Sequence, residues 1–197
     1  MKRTVSLSAL AILAGCMRPS PPVVLHTLRP LESQAAPAST PLSLEVMPVL
    51  VPELIQRPQL LSAQGPERWG LSETHRWGNP IEKDIERVLV ENLSALLGSD
   101  SIVAYPGGDR IKASYRLSLD IQQFAAQPGG SLRLRATWIL TRVGGGQALL
   151  LRKANLLEAL PDQNPDALVA AHSRALAALS RDIAAELRNV SAEKKAP

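Results

Sequence analysis

The sequence predicts an α/β fold: a two-layer sandwich in which a mixed, largely antiparallel sheet carries two amphipathic helices on one face. Three observations lead to it. Two stretches, around residues 81–97 and 168–187, repeat apolar residues with the period of a helix. Between them lie three alternating runs joined by glycine-rich turns, as in an antiparallel meander with one buried face. Of the 197 residues, 45% are apolar and 20% charged, enough to bury a core and too hydrophobic for a disordered chain. Helices and a sheet that each have one face to bury combine into two layers.

The chain begins with Met1-Lys2-Arg3 and an uncharged run over residues 4–14, much too short to span a bilayer. Residues 1–15 read as a signal peptide of the lipoprotein type, because the run ends Leu13-Ala14-Gly15-Cys16, a small-residue cleavage site followed by the only cysteine in the chain. Cys16 is thereby the expected lipidation site, carrying a diacylglyceryl group and, on its new α-amine, a fatty acyl chain such as palmitate. Several acyl chains on one residue anchor a protein stably without a transmembrane helix. One cysteine forms no internal disulfide, and with three histidines it supplies no cysteine-rich zinc site, so no metal or other cofactor is expected.

Residues 16–40 form a tether, with prolines at 19, 21, 22, 30 and 37 favouring extended or irregular chain. Inside it, residues 23–28 can make a short edge strand, which would shorten the free tether to about residues 17–21. The folded domain is expected over residues 41–190. Leu42, Leu44 and Val46 alternate with polar neighbours as a half-buried strand, and two short strands are expected near residues 59–62 and 68–72. Asn79-Pro80-Ile81-Glu82 opens the first helix: Asn79 as cap, Pro80 at the first helical position, Glu82 completing a capping box. Its apolar stripe is Ile81, Ile85, Val88, Leu89, Leu93, Leu96 and Leu97, with Glu82, Lys83, Glu86, Arg87 and Glu91 opposite and Gly98 as terminator.

A short strand at residues 102–105 follows. The meander comes next, with Tyr115, Leu117, Leu119 and Ile121 facing one way, then Leu132, Leu134, Ala136, Trp138 and Leu140, then residues 149–157. Asn164-Pro165-Asp166 repeats the cap-then-proline signal before a last helix with the stripe Leu168, Ala171, Ala175, Leu179, Ile183 and Leu187. Residues 191–197 read as a disordered tail.

Charge excludes one function class. Without residues 1–15 the balance falls from 22 basic and 18 acidic to 20 and 18, and six aromatics are too few for a stacking platform, so nucleic acid is not an expected partner. The arginines at 133, 135, 142 and 152 read as the solvated face of strands. Catalysis is not expected. Neither glycine run precedes a helix as a phosphate loop does, and Asp120 and Glu158 carry no glycosidase spacing. His26 lies in the tether, His75 in a loop beside Trp77, and His172 at the boundary of the last helix stripe, each without a nucleophile motif around it.

Three motifs carry a family resemblance: residues 46–60 with Arg57-Pro58-Gln59, Arg76-Trp77-Gly78-Asn79-Pro80-Ile81, and Arg87-Val88-Leu89-Val90-Glu91-Asn92-Leu93. They resemble the PqiC/YmbA family of ABC-type transport auxiliary lipoproteins, with Trp77-Gly78-Asn79-Pro80 and His26-Thr27-Leu28 as departures from its pattern. The resemblance implies a non-enzymatic, outer-membrane-anchored periplasmic subunit of a Gram-negative lipid transport system serving membrane integrity. Its implied partners are the membrane through Cys16, an MCE-domain protein and inner-membrane transporter components, with a homo-oligomer compatible with the same role. Arg57, Pro58, Gln59 and Trp77 are the candidate docking residues. The plainer reading has Pro58 shaping a turn and Trp77 plugging the helix end. Two other functions compete: a carrier holding a lipid or other apolar ligand, and an accessory lipoprotein of envelope assembly.

Overall fold

The structure, a computed structural model, describes residues 21–32, 42–65, 67–107, 111–162 and 164–193. Strands β1 (Val24–His26), β2 (Leu44–Val46), β3 (Gln59–Ala63) and β4 (Trp69–Trp77) precede helix α1 (Ile81–Leu97). Strands β5 (Ile102–Ala104), β6 (Tyr115–Gln127), β7 (Ser131–Arg142) and β8 (Ala148–Ala159) then lead to helix α2 (Pro165–Glu193). Helix α1 packs over β5 and β2, α2 over β6, β7 and β8, and the helices touch each other, so both lie on one face of the sheet as expected.

The strands divide into two sheets rather than one. Five run in the order β5-β2-β6-β7-β8, parallel around β2 and antiparallel from β6 onward, and three form a small sheet in the order β1-β4-β3. The reason lies in β6. A bulge between Ile121 and Gln123 changes its phase, so that odd residues up to Ile121 face the helices and Phe124 and Ala126 do so beyond it. The small sheet sits against this far end, with Leu60 and Trp77 packed near Phe124 and a void of about 10 Å³, room for one water at most.

Strand β2 is buried on both faces, not half-buried. It lies between β5 and β6, and Glu45 on its second face is covered: one carboxylate oxygen accepts from the Gly107 N–H at 3.1 Å, the other from Arg116 Nε at 3.0 Å. Strand β4 continues through His75 to Trp77, because β1 pairs with it in parallel and β3 antiparallel; His75 is therefore a strand residue and not a loop residue. The short strand at β1 is real and forms an edge of the small sheet.

Asn79 does not cap α1. Pro80 has an extended conformation (φ −50°, ψ 128°) and is itself the last non-helical residue, so Asn79 stands one position too early for its side chain to reach the first amides. The Pro80 carbonyl instead accepts from the Lys83 and Asp84 N–H groups. Gly98 terminates the helix in the left-handed region at φ 59°, with the Ser99 N–H reaching back to the Ser94 carbonyl. Asn164 does cap α2: its Oδ1 accepts from the Ala167 N–H at 2.8 Å. All six predicted stripe residues of α2 are buried. The helix continues through Ser191 to Glu193, past the expected start of the tail; residues beyond it lie outside the described ones. Glu86, expected on the solvated side of α1, is buried and paired with Lys83 at 3.0 Å.

Candidate functional site

The docking candidates meet at one end of β4. A 3-10 turn at Glu53–Ile55 is followed by Gln56, whose Nε2 donates to the Val51 carbonyl, and Arg57, whose Nε donates to the Leu54 carbonyl at 2.9 Å. These bonds hold the Arg57-Pro58 turn against the end of β4, where the Trp77 N–H donates to the Pro58 carbonyl at 2.6 Å. Gln59 begins β3 opposite Arg76. Between this turn and the start of α1 runs an open groove of about 300 Å³, with Arg57 and Pro58 on one wall and Gly78, Asn79, Pro80 and Glu82 on the other. Arg57 and Pro58 are exposed and Gln59 is half-buried. Trp77 is 8% exposed and contributes the groove's floor, with its ring edge-on to His172 at 5.5 Å. The turn-shaping part assigned to Pro58 and the plugging part assigned to Trp77 both have this geometry behind them. Cys16 lies outside the described residues.

The histidines are redistributed. His172 is buried between Trp77 and Phe124 rather than at a boundary, and its Nδ1 donates to the Leu168 carbonyl at 2.8 Å. Burial lowers its pKa from 6.5 to about 4, against the raising effect of hydrogen bonds to the Leu168 and Phe124 backbone. His26 and His75 stack at 5.1 Å and share a hydrogen bond between Nε2 and Nδ1 at 2.8 Å, with Asp166 3.7 Å from His26 Nδ1. Desolvation, then the neighbouring His75, lower the His26 pKa, and Asp166 opposes them. Among the described residues no group of three His, Cys, Asp or Glu side chains has metal-binding geometry. Asp120 pairs with Thr137 on the outer face of the sheet, whereas Glu158 lies on the helix side and pairs with Arg174, so the two cannot flank one bond. Arg152 also points to the helix side, to Glu186 at 2.9 Å, and not with Arg133 and Arg135 to the outer face.

One site was not read from the sequence. The chain after β1 is clamped across both helices by polar side chains, of which Asp84 and Asn92 are buried. The Leu28 N–H donates to Asp84 and the Leu28 carbonyl accepts from Arg87. The Leu31 N–H donates to Asn92 Oδ1 at 2.7 Å, and the Arg29 N–H to Ser173 on α2. Asn92, with no exposed surface, also donates to Ser180 across the helix pair. Its only trace in the sequence is the row Asp84-Val88-Asn92 at i, i+4, i+8, polar at both ends inside an apolar stripe.

A family model described as ABC-type transport auxiliary lipoprotein component matches residues 26–184, from the end of β1 into the last third of α2. The chain belongs to that family. The auxiliary lipoproteins of this family are components of ABC-type transport, and the motif resemblance to the PqiC/YmbA type points to the same one. Two crystal structures share the fold of this auxiliary lipoprotein. An uncharacterized protein superposes with a TM-score of 0.70 at 18% identity, covering 85% of this chain and 99% of its own. Protein XCC0632 from Xanthomonas campestris gives 0.68 at 15%, covering 88% and 97%. No curated protein matches the sequence. Among the described residues no helix is long and apolar enough to cross a membrane.

Proposed function

We propose that this auxiliary lipoprotein is a docking subunit, anchored through lipid on Cys16 to the periplasmic face of the outer membrane of a Gram-negative bacterium. Its partner is an MCE-domain protein of an intermembrane lipid transport system. The observation that carries the reading is the groove between the Arg57-Pro58 turn and the start of α1, an open, preformed surface with a cation on one wall. A docking element needs such a surface, whereas a carrier needs an enclosed apolar cavity. Among the described residues, the space enclosed between the small sheet, β6 and α2 is filled, which favours docking over carriage. Met17 rather than Asp after Cys16 supports the outer membrane as destination.

Two substitutions test it in cells. Cys16→Ser is expected to move the protein from the membrane to the soluble periplasmic fraction, and unchanged membrane retention would remove the anchor. Arg57→Glu is expected to weaken crosslinking to the MCE partner at least about tenfold while leaving membrane attachment intact, as a charge reversal at a hot-spot arginine does. Stoichiometric lipid in the purified domain, with no MCE protein captured, would favour the carrier instead.

A further inference from the structure

The groove lies at one end of β4, and the other end of the same strand carries the more exposed apolar side chains. Strand β1 runs parallel to β4, with Val24 beside His75 and His26 beside Trp77. Moving back along β1 toward Cys16 is therefore moving back along β4 toward Trp69, which pairs with Ala63 at the closed end of the β3–β4 hairpin. Trp69 lies six residues before His75, about 20 Å along the strand at roughly 3.3 Å per residue. Cys16 stands eight positions before Val24, a reach of about 28 Å at most. The β3–β4 hairpin thus projects through most of the distance that the tether can open between β1 and a lipid on Cys16.

The hairpin tip has the chemistry of a membrane interface. Arg68 is exposed, Trp69 half-buried and Leu71 46% exposed, with Val24 and, at 65% exposure, Leu25 on the edge strand near its base. Trp77 and Trp138 are core residues, so Trp69 is the tryptophan left partly in water. An indole and a leucine beside an arginine suit the headgroup layer, where an apolar body and a polar tip are both accommodated. Glu67 and Glu73, also exposed, offset the cation and favour a zwitterionic surface over a strongly anionic one.

We propose that the tip of the β3–β4 hairpin rests on the bilayer that holds the anchor, with Trp69 and Leu71 in its headgroup layer. The inference rests on lipidation of Cys16. It orients the domain: β4 runs from the membrane at Trp69 to the docking groove at Trp77, holding that groove about 26 Å away, on the aqueous side, at roughly 3.3 Å per residue.

The test uses the full-length lipidated protein in phosphatidylcholine vesicles with brominated acyl chains, read by tryptophan emission after flotation. The wild type is expected to lose up to roughly a third of its emission, since one of three tryptophans is within reach of the quencher. Trp69→Phe is expected to float equally and lose none, and Leu71→Asn to float and lose less than the wild type. Wild-type protein that floats but is not quenched, or Trp69→Phe that is still quenched, overturns the hairpin contact while leaving the anchor standing. Wild-type protein that does not float overturns the anchor and the contact with it.

Discussion

His172 shows how one residue changes meaning between sequence and fold. The helical stripe places it at the edge of the apolar face, yet Trp77 from the small sheet and Phe124 from the far end of β6 close over it and exclude water. A ring held neutral in the folded state is one that unfolding lets protonate. Its folded pKa of about 4 lies below the 6.5 of the unfolded chain, so its contribution is fully present above pH 6.5 and is lost as pH falls toward about 4. At about 1.4 kcal/mol per unit the loss is about 3 kcal/mol at most. His26, lowered in the same direction by burial and by His75, adds to the acid sensitivity. His172→Gln, which keeps a donor for the Leu168 carbonyl, is expected to flatten the fall in melting temperature between neutral pH and about pH 5, measured by circular dichroism.

At the scale of elements, the two Asn-Pro helix starts look alike in sequence and differ in structure. The difference is one backbone angle: Pro165 is the first helical residue, whereas Pro80 is extended and follows a strand whose end is fixed by the bond from the Gly78 N–H to the His26 carbonyl. Asn164→Ala is expected to cost about 1 kcal/mol and Asn79→Ala no more than a few tenths, read as shifts in the urea unfolding midpoint. Helix periods, the three meander strands and the glycine turns were legible because each depends on residues close in sequence. Gly129 and Gly130, at φ 94° and 78°, supply turn angles that other residues avoid. Strand β4 beyond Ser72 was not legible: alternation there is weak, and Thr74-His75-Arg76 becomes a strand only because β1 and β3 flank it.

At the scale of the molecule, the five-stranded sheet leaves β8 as a long edge strand, with Leu151 and Leu157 exposed on its outer face and Lys153 between them. A lysine at the middle of an open edge discourages pairing with another chain. Lys153→Val would remove the edge charge and extend the apolar surface of Leu151 as far as Asn155, and is expected to raise self-association, measured by light scattering across a concentration series. The candidate site divides in the same way as the edge. The residues Arg57, Pro58 and Trp77 were readable as motifs, but that they line one groove follows from the bond between the Trp77 N–H and the Pro58 carbonyl, which joins positions far apart in the chain.

The sequence by itself determined the elements whose causes are local: two amphipathic helices, a meander with glycine turns, and motifs specific enough to point to the family. Only the tertiary structure decided that the strands form two sheets, that the chain after β1 is strapped across both helices, and that His26 meets His75. Each of these joins residues about fifty or more positions apart through hydrogen bonds and burial. Periodicity tells which face of an element avoids water, and nothing in it names the partner that covers that face.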